Sequence, residues 1–135
     1  MQDRKVILSI LWIFVMFNYL YCDVLTNMGS EVLKGYLAGQ VGSLQITQGF
    51  LLGAAILMEI PTAMLLLSWV LPSRANRIAN ILAGTLMTVV QAASLFVGTG
   101  PTLHYLFYSV IEIACTAFIA GYAWQWKSAL APEMR

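Results

Sequence analysis

Long apolar runs alternate with short polar breaks along the chain, and four of these runs are candidate membrane helices. The first extends from about Val6 to Thr26, the second from about Gln48 to Leu71, the third from about Ile78 to Val97 and the fourth from about Thr102 to Trp126. Each is close to the roughly 20 residues that a helix needs to cross the hydrocarbon. The breaks LPSRANR and GTGPT are short, so the helices they join must pack as antiparallel neighbours. The one sizeable loop lies between the first two runs. Within it Val32, Leu33, Tyr36 and Leu37 recur at helical spacing, with Glu31 and Lys34 opposite, which predicts a short helix lying in the membrane interface. The expected architecture is all-α: a polytopic membrane protein, with a four-transmembrane-helix bundle as its single domain over residues 1–135.

Composition agrees with this pattern. The chain is 60% hydrophobic and only 10% charged, with a mean hydropathy of +0.79, whereas soluble domains carry about 25% charged residues. A net charge of +1 without any basic tract removes nucleic acid from the expected partners. MQDRK followed by VILSILWIFVMFNYLYC has the charge order of a signal peptide. Its apolar part exceeds the roughly 7–15 residues of such a segment, and no small-x-small cleavage site follows. It reads as a retained first helix.

Arg4, Lys5, Arg74, Arg77, Lys127 and Arg135 fall on one side of this topology, and Lys34 alone on the other. The positive-inside rule then makes both termini and the middle loop cytoplasmic. Trp69, Trp124 and Trp126 stand where anchors on that side belong, and Trp12 lies deeper.

Two acids interrupt the apolar runs. Glu59 lies about 11 residues from the outer end of the second span and Glu112 about 10 from that of the fourth, so both reach a similar depth near the midplane. A charged carboxylate there costs about 2.5–3.5 kcal/mol on insertion scales, so such residues usually face a partner, a protein interior or a water-filled cavity. Met58-Glu59-Ile60-Pro61-Thr62-Ala63 also echoes Ile111-Glu112-Ile113-Ala114-Cys115-Thr116-Ala117, allowing one inserted residue.

Helical spacing groups further polar residues into stripes. Tyr105, Tyr108, Glu112 and Cys115 share one on the fourth span. Tyr19, Asp23 and Thr26 align on the first, with Asn18 and Cys22 beside them. Asn80, Gly84, Thr88 and Gln91 form a small and polar stripe on the third, and Gly49, Leu52, Ile56, Glu59 and Ala63 share a side of the second. The stripes predict a central polar cleft holding Glu59, Glu112, Asp23, Gln91, Asn18, Tyr19, Tyr105 and Tyr108, open toward the outer face. Two desolvated carboxyls meeting there would share a proton at neutral pH. That suits proton-coupled transport or general acid/base work on a lipophilic molecule. It also suits plain interhelical hydrogen bonding, worth about 0.6 kcal/mol per contact. Pro61 opens the helix backbone around residue 57, which makes either a cavity lining or a packing kink.

No cofactor or metal is expected. His104 is the only histidine, which excludes a paired-histidine haem, and Cys22 and Cys115 form no CxxC. A nucleophile elbow, a P-loop, a dinucleotide fingerprint and HExxH are all absent.

The stretches KVILSILWIFVMFNYLYCDVLT, GFLLGAAILMEIPTAMLLLS, ANRIANILAG and YLFYSVIEIACTAFI resemble a small bacterial family of uncharacterised four-helix membrane proteins. The resemblance covers nearly the whole chain and implies a multi-pass protein of the bacterial inner membrane, with no catalytic residues to carry over. In size and helix count the chain is also similar to the DoxX-like proteins. The leading expectation is a module that binds or transports a small or lipophilic ligand with proton-carrying carboxyls, in contact with the lipid bilayer and with room for a homo-oligomer. The alternatives are an isomerase-like intramembrane enzyme and a non-catalytic subunit of a membrane complex.

Overall fold

The computed structural model describes residues 2–41, 43–96 and 102–126. Among the described residues five helices carry the fold: α1 (Gln2–Asn27), α2 (Ser30–Leu37), α3 (Gln48–Val70), α4 (Ser73–Ser94) and α5 (Leu103–Gln125). A two-stranded antiparallel ribbon, β1 (Gln40–Val41) and β2 (Leu44–Gln45), links α2 to α3. Gly39 enters the ribbon at φ 80°, a left-handed conformation that glycine adopts without steric cost. Of the described helices, α1, α3 and α5 are long and apolar enough to cross a membrane.

Local chemistry sets the helix ends. Thr47 caps α3, its Oγ1 accepting from Phe50 N at 3.0 Å. Pro72 holds Leu71 in an extended conformation and closes α3. α4 then begins at Ser73, five residues before the expected start of the third span at Ile78, so the connection shrinks to Leu71 and Pro72. The polar residues Arg74, Asn76 and Arg77 hid this turn from a reading of apolar runs. The expected end of that span, Val97, lies outside the described residues, as do Lys127 and Arg135. The short helix predicted in the loop is present as α2, with Glu31 and Lys34 paired at 3.5 Å on its exposed side.

α1 packs against α3 and α5, and α4 packs extensively on α5 and less so on α3. The order around the bundle is therefore α1, α3, α4, α5, with α1 diagonal to α4. Its core is built from Leu8, Trp12, Val15 and Tyr19 of α1, spaced at three and four residues as one helix face requires. Met64, Ala83, Met87 and Ile119 meet them from the other helices.

The small and polar stripe of α4 packs inward. A Cβ on Gly84 would lie 2.9 Å from the carbonyl oxygen of Thr116 and 3.1 Å from the nitrogen of Ala120, so glycine lets α4 and α5 approach backbone to backbone. The hydroxyls of Thr88 and Thr116 share a hydrogen bond of 2.7 Å one turn away. Across the bundle diagonal Trp12 Nε1 donates to Asn80 Oδ1 at 2.8 Å, Asn80 Nδ2 donates to Asn76 Oδ1 at 2.6 Å, and Asn76 Nδ2 donates to the carbonyl of Ser68 at 2.7 Å. This buried network ties α1, α3 and α4 together.

Cations collect at the end of the bundle where α1 begins. Arg4 Nη1 donates to the carbonyl of Tyr122 and Lys5 Nζ to that of Leu71, at the closing turns of α5 and α3. Positive charge there complements the helix dipoles. Arg4 and Arg77 also lie over the rings of Tyr122 and Trp124. Trp69 and Trp124 are exposed as anchors would be, but Trp126 is fully buried and belongs to the core instead. The outer surface of the helices is apolar, with Ile10, Phe17, Leu52, Leu66, Phe107 and Val110 all exposed. An exterior rich in large apolar side chains is what a lipid-facing protein presents.

Candidate functional site

Depth along each helix follows from a rise of about 1.5 Å per residue. At the end of the bundle that carries α2, Asp23 lies four residues before the close of α1 and Gln91 three before that of α4, while Tyr105 is two residues into α5. Deeper by about one turn are Tyr19 and Met87, and by about two turns Glu112, with Leu57 and Met58 nine and ten residues into α3. All of these residues line one cavity of about 90 Å³, together with Cys22 and Val90. Asp23 is exposed, and Glu112 is 1% exposed, so the first stands at the rim and the second at the bottom.

The rim is held by hydrogen bonds between α4 and α5. Gln91 Nε2 donates to Ser109 Oγ at 2.8 Å, Tyr105 Oη donates to Ser94 Oγ at 2.7 Å, and Ser94 Oγ donates in turn to the carbonyl of Gln91. His104 joins α5 to α1. The Thr26 hydroxyl gives its proton to the carbonyl of Cys22, so ring Nε2 is the donor in the 3.0 Å contact with Thr26, and Nδ1 accepts from Thr102. α2 lies over the same end. Burial pushes the Tyr36 phenol up, and neighbouring Asp23, Tyr105 and Cys22 push it the same way, which sets Tyr36 beside the rim.

At the bottom the polar groups are unmatched. Neither carboxyl oxygen of Glu112 has a hydrogen-bond partner, and neither does the hydroxyl of Tyr19. Buried polar groups are nearly always hydrogen-bonded, so three unmatched ones around one cavity point to a ligand or to water. Leu57 also lines the cavity, and Pro61, four residues on, has no N–H to return to its carbonyl. The lining residues include two carboxyls and no lysine, arginine or histidine. The site therefore favours positive charge. At roughly 30 Å³ per water molecule, it has room for about three waters or a group of similar size.

Five of the eight residues expected in the cleft line this cavity: Glu112, Asp23, Gln91, Tyr19 and Tyr105. Three do not. Glu59 is exposed on the outer side of α3, because the residues that α3 turns inward are Pro61, Met64 and Ser68. Asn18 spends its amide on its own helix, donating to the carbonyl of Phe14 at 2.8 Å. Tyr108 packs edge-on against Phe107, with ring centroids 5.5 Å apart. The expected pairing of Glu59 with Glu112 is thus not formed within one chain. Cys22, Leu57, Met58, Met87 and Val90 complete the lining, and the apolar pattern gave no signal that Leu57, Met58, Met87 and Val90 would join it.

Cys22 and Cys115 are both buried and free. Among the described residues no group of three or more His, Cys, Asp or Glu could hold a metal ion. No curated protein and no solved structure matches the chain. A family described as one of unknown function, DUF6326, matches residues 1–131, nearly the whole chain, in keeping with the resemblance to an uncharacterised family and without a link to DoxX-like proteins. The chain belongs to this family of unknown function.

Proposed function

We propose that the protein is a four-span integral membrane protein that binds a small cation at Glu112 in exchange for a proton. The observation that carries this reading is the Glu112 side chain, 1% exposed, with both oxygens unpartnered at the bottom of the cavity. A buried carboxylate needs a counter-charge, and protonation removes that charge when no cation is bound. A cation entering past Asp23 meets two carboxyls and the phenols of Tyr19 and Tyr105, and it displaces the Glu112 proton. Exchange of a cation for a proton at one carboxyl is the elementary step of proton-coupled transport. A whole lipophilic molecule, as an isomerase would need, requires several times this volume.

Four spans follow if α4 crosses with the others. Its 22 residues reach about 33 Å, enough for the hydrocarbon, with Asn76, Asn80 and Gln91 turned inside. The end carrying Arg4, Lys5, Arg74 and Arg77 is then cytoplasmic, and α2 with the cavity mouth faces outward across the bacterial inner membrane.

Proton release tests the exchange. The purified protein in lipid nanodiscs, in weakly buffered solution, is titrated with sodium, potassium and tetramethylammonium. At least one of these should release protons saturably, and Glu112→Gln should abolish the release. Absence of release with all three, or release retained in Glu112→Gln, would contradict the reading.

A further inference from the structure

Glu59 is left on the outside of the bundle. Eleven residues of α3 precede it and eleven follow, so it sits at the middle of the helix. At about 100° per residue its direction is roughly opposite that of Pro61, Met64 and Ser68, the buried side of α3. Leu52, Ile56, Leu66 and Val70 flank it, all exposed. α3 is also the least covered of the apolar helices: 11% of its apolar stretch is buried, against 33% for α1 and for α5.

We propose that this face of α3 is the contact between two copies of the chain, related by a two-fold axis, with the two Glu59 carboxyls hydrogen-bonded to each other. The inference rests on α3 crossing the bilayer, where a lone carboxyl at mid-depth needs a partner that lipid tails do not supply.

The chemistry selects a second copy as that partner. A two-fold contact sets each residue near the axis against itself, so the group at its centre must be self-complementary. A protonated carboxyl is: it carries one donor and one carbonyl acceptor, and two of them close a pair of hydrogen bonds. No lysine or arginine lies near the middle of α1, α3, α4 or α5, so a second copy brings no cation to Glu59. Gly49 borders the same face, about 80° around the helix from Glu59. A Cβ added there meets only Thr47, so this glycine is not required by packing inside the chain. Gly84, by contrast, is filled by α5. Small residues left open beside a bare helix face allow a second backbone to approach closely.

Subunit counting on the full-length, singly labelled chain in phosphatidylethanolamine–phosphatidylglycerol vesicles, over falling protein-to-lipid ratios, tests the contact. The wild type and Glu59→Gln, whose amide also donates and accepts, should dimerise. Glu59→Leu should weaken dimerisation about tenfold, the scale of two interhelical hydrogen bonds in a membrane. Leu66→Cys should cross-link between chains, and Val110→Cys on α5 should not. The cross-linking uses an otherwise native chain, so it decides the matter even if Glu59→Leu fails to fold. Monomers at every ratio in a protein that resists alkaline carbonate extraction would overturn the contact alone. Release by carbonate would overturn the spanning reading and the contact with it. Undiminished dimers in Glu59→Leu, or cross-linking through Val110→Cys instead, would overturn the Glu59 pairing.

Discussion

Glu59 and Glu112 are the same residue at similar depth in two apolar helices, and the bundle treats them oppositely. Glu112 is enclosed with no partner, and Glu59 is turned outward. Their depth was legible in the sequence because it depends only on helix length. Their direction was legible in one case only. In α5, Tyr105, Glu112 and Cys115 stand out as a stripe that the fold does turn inward, with Ser109 and Thr116 beside it. α3 is apolar on every side, so periodicity carries no signal of which side meets the protein. The proton-exchange reading therefore predicts a split between two conservative substitutions. Glu112→Gln should keep the fold, because the amide matches the neutral acid in shape, while cation-linked proton release disappears. Glu59→Gln should leave that release unchanged. Proton release measured side by side in nanodiscs checks both.

At the scale of elements, α4 fitted the apolar pattern worst and explains the packing best. Its polar residues broke the expected start of the span, yet Asn76, Asn80, Gly84 and Gln91 are all buried against neighbours. If α4 crosses the bilayer as proposed, its polarity marks contact with protein rather than with lipid. Gly84→Ala should destabilise the bundle by about 1–3 kcal/mol, the usual range for overpacking, because the added methyl meets the α5 backbone. Reversible unfolding in mixed micelles would show it as a shifted midpoint. Asn80→Leu should cost about as much, since it strands the Trp12 indole N–H and Asn76 Oδ1. The same change should alter Trp12 emission, which distinguishes a broken hydrogen bond from general loosening. This network could not be read from the sequence, because α1 and α4 touch only across the bundle diagonal. α2 was legible, since eight residues with charge on one side and apolar groups on the other admit few other structures.

At the scale of the whole molecule, charge at the two ends and polarity within combine into one account. Arg4, Lys5 and Arg77 bind carbonyls at one end, and the cavity runs from Asp23 at the other toward Glu112. The orientation predicts that Glu31→Cys is labelled by an impermeant maleimide added outside intact cells. Arg74→Cys should be labelled only after the membrane is permeabilised; the reverse pattern would invert the bundle. The central claim is that Glu112 trades its proton for a cation, and infrared difference spectroscopy on the protein in lipid observes that event at the carboxyl itself. Addition of the cation that releases protons should remove a protonated-carboxyl C=O band, with the loss present in Glu59→Gln and absent in Glu112→Gln. A carboxyl region unchanged by every cation tried, or a band loss that survives in Glu112→Gln, would contradict the account.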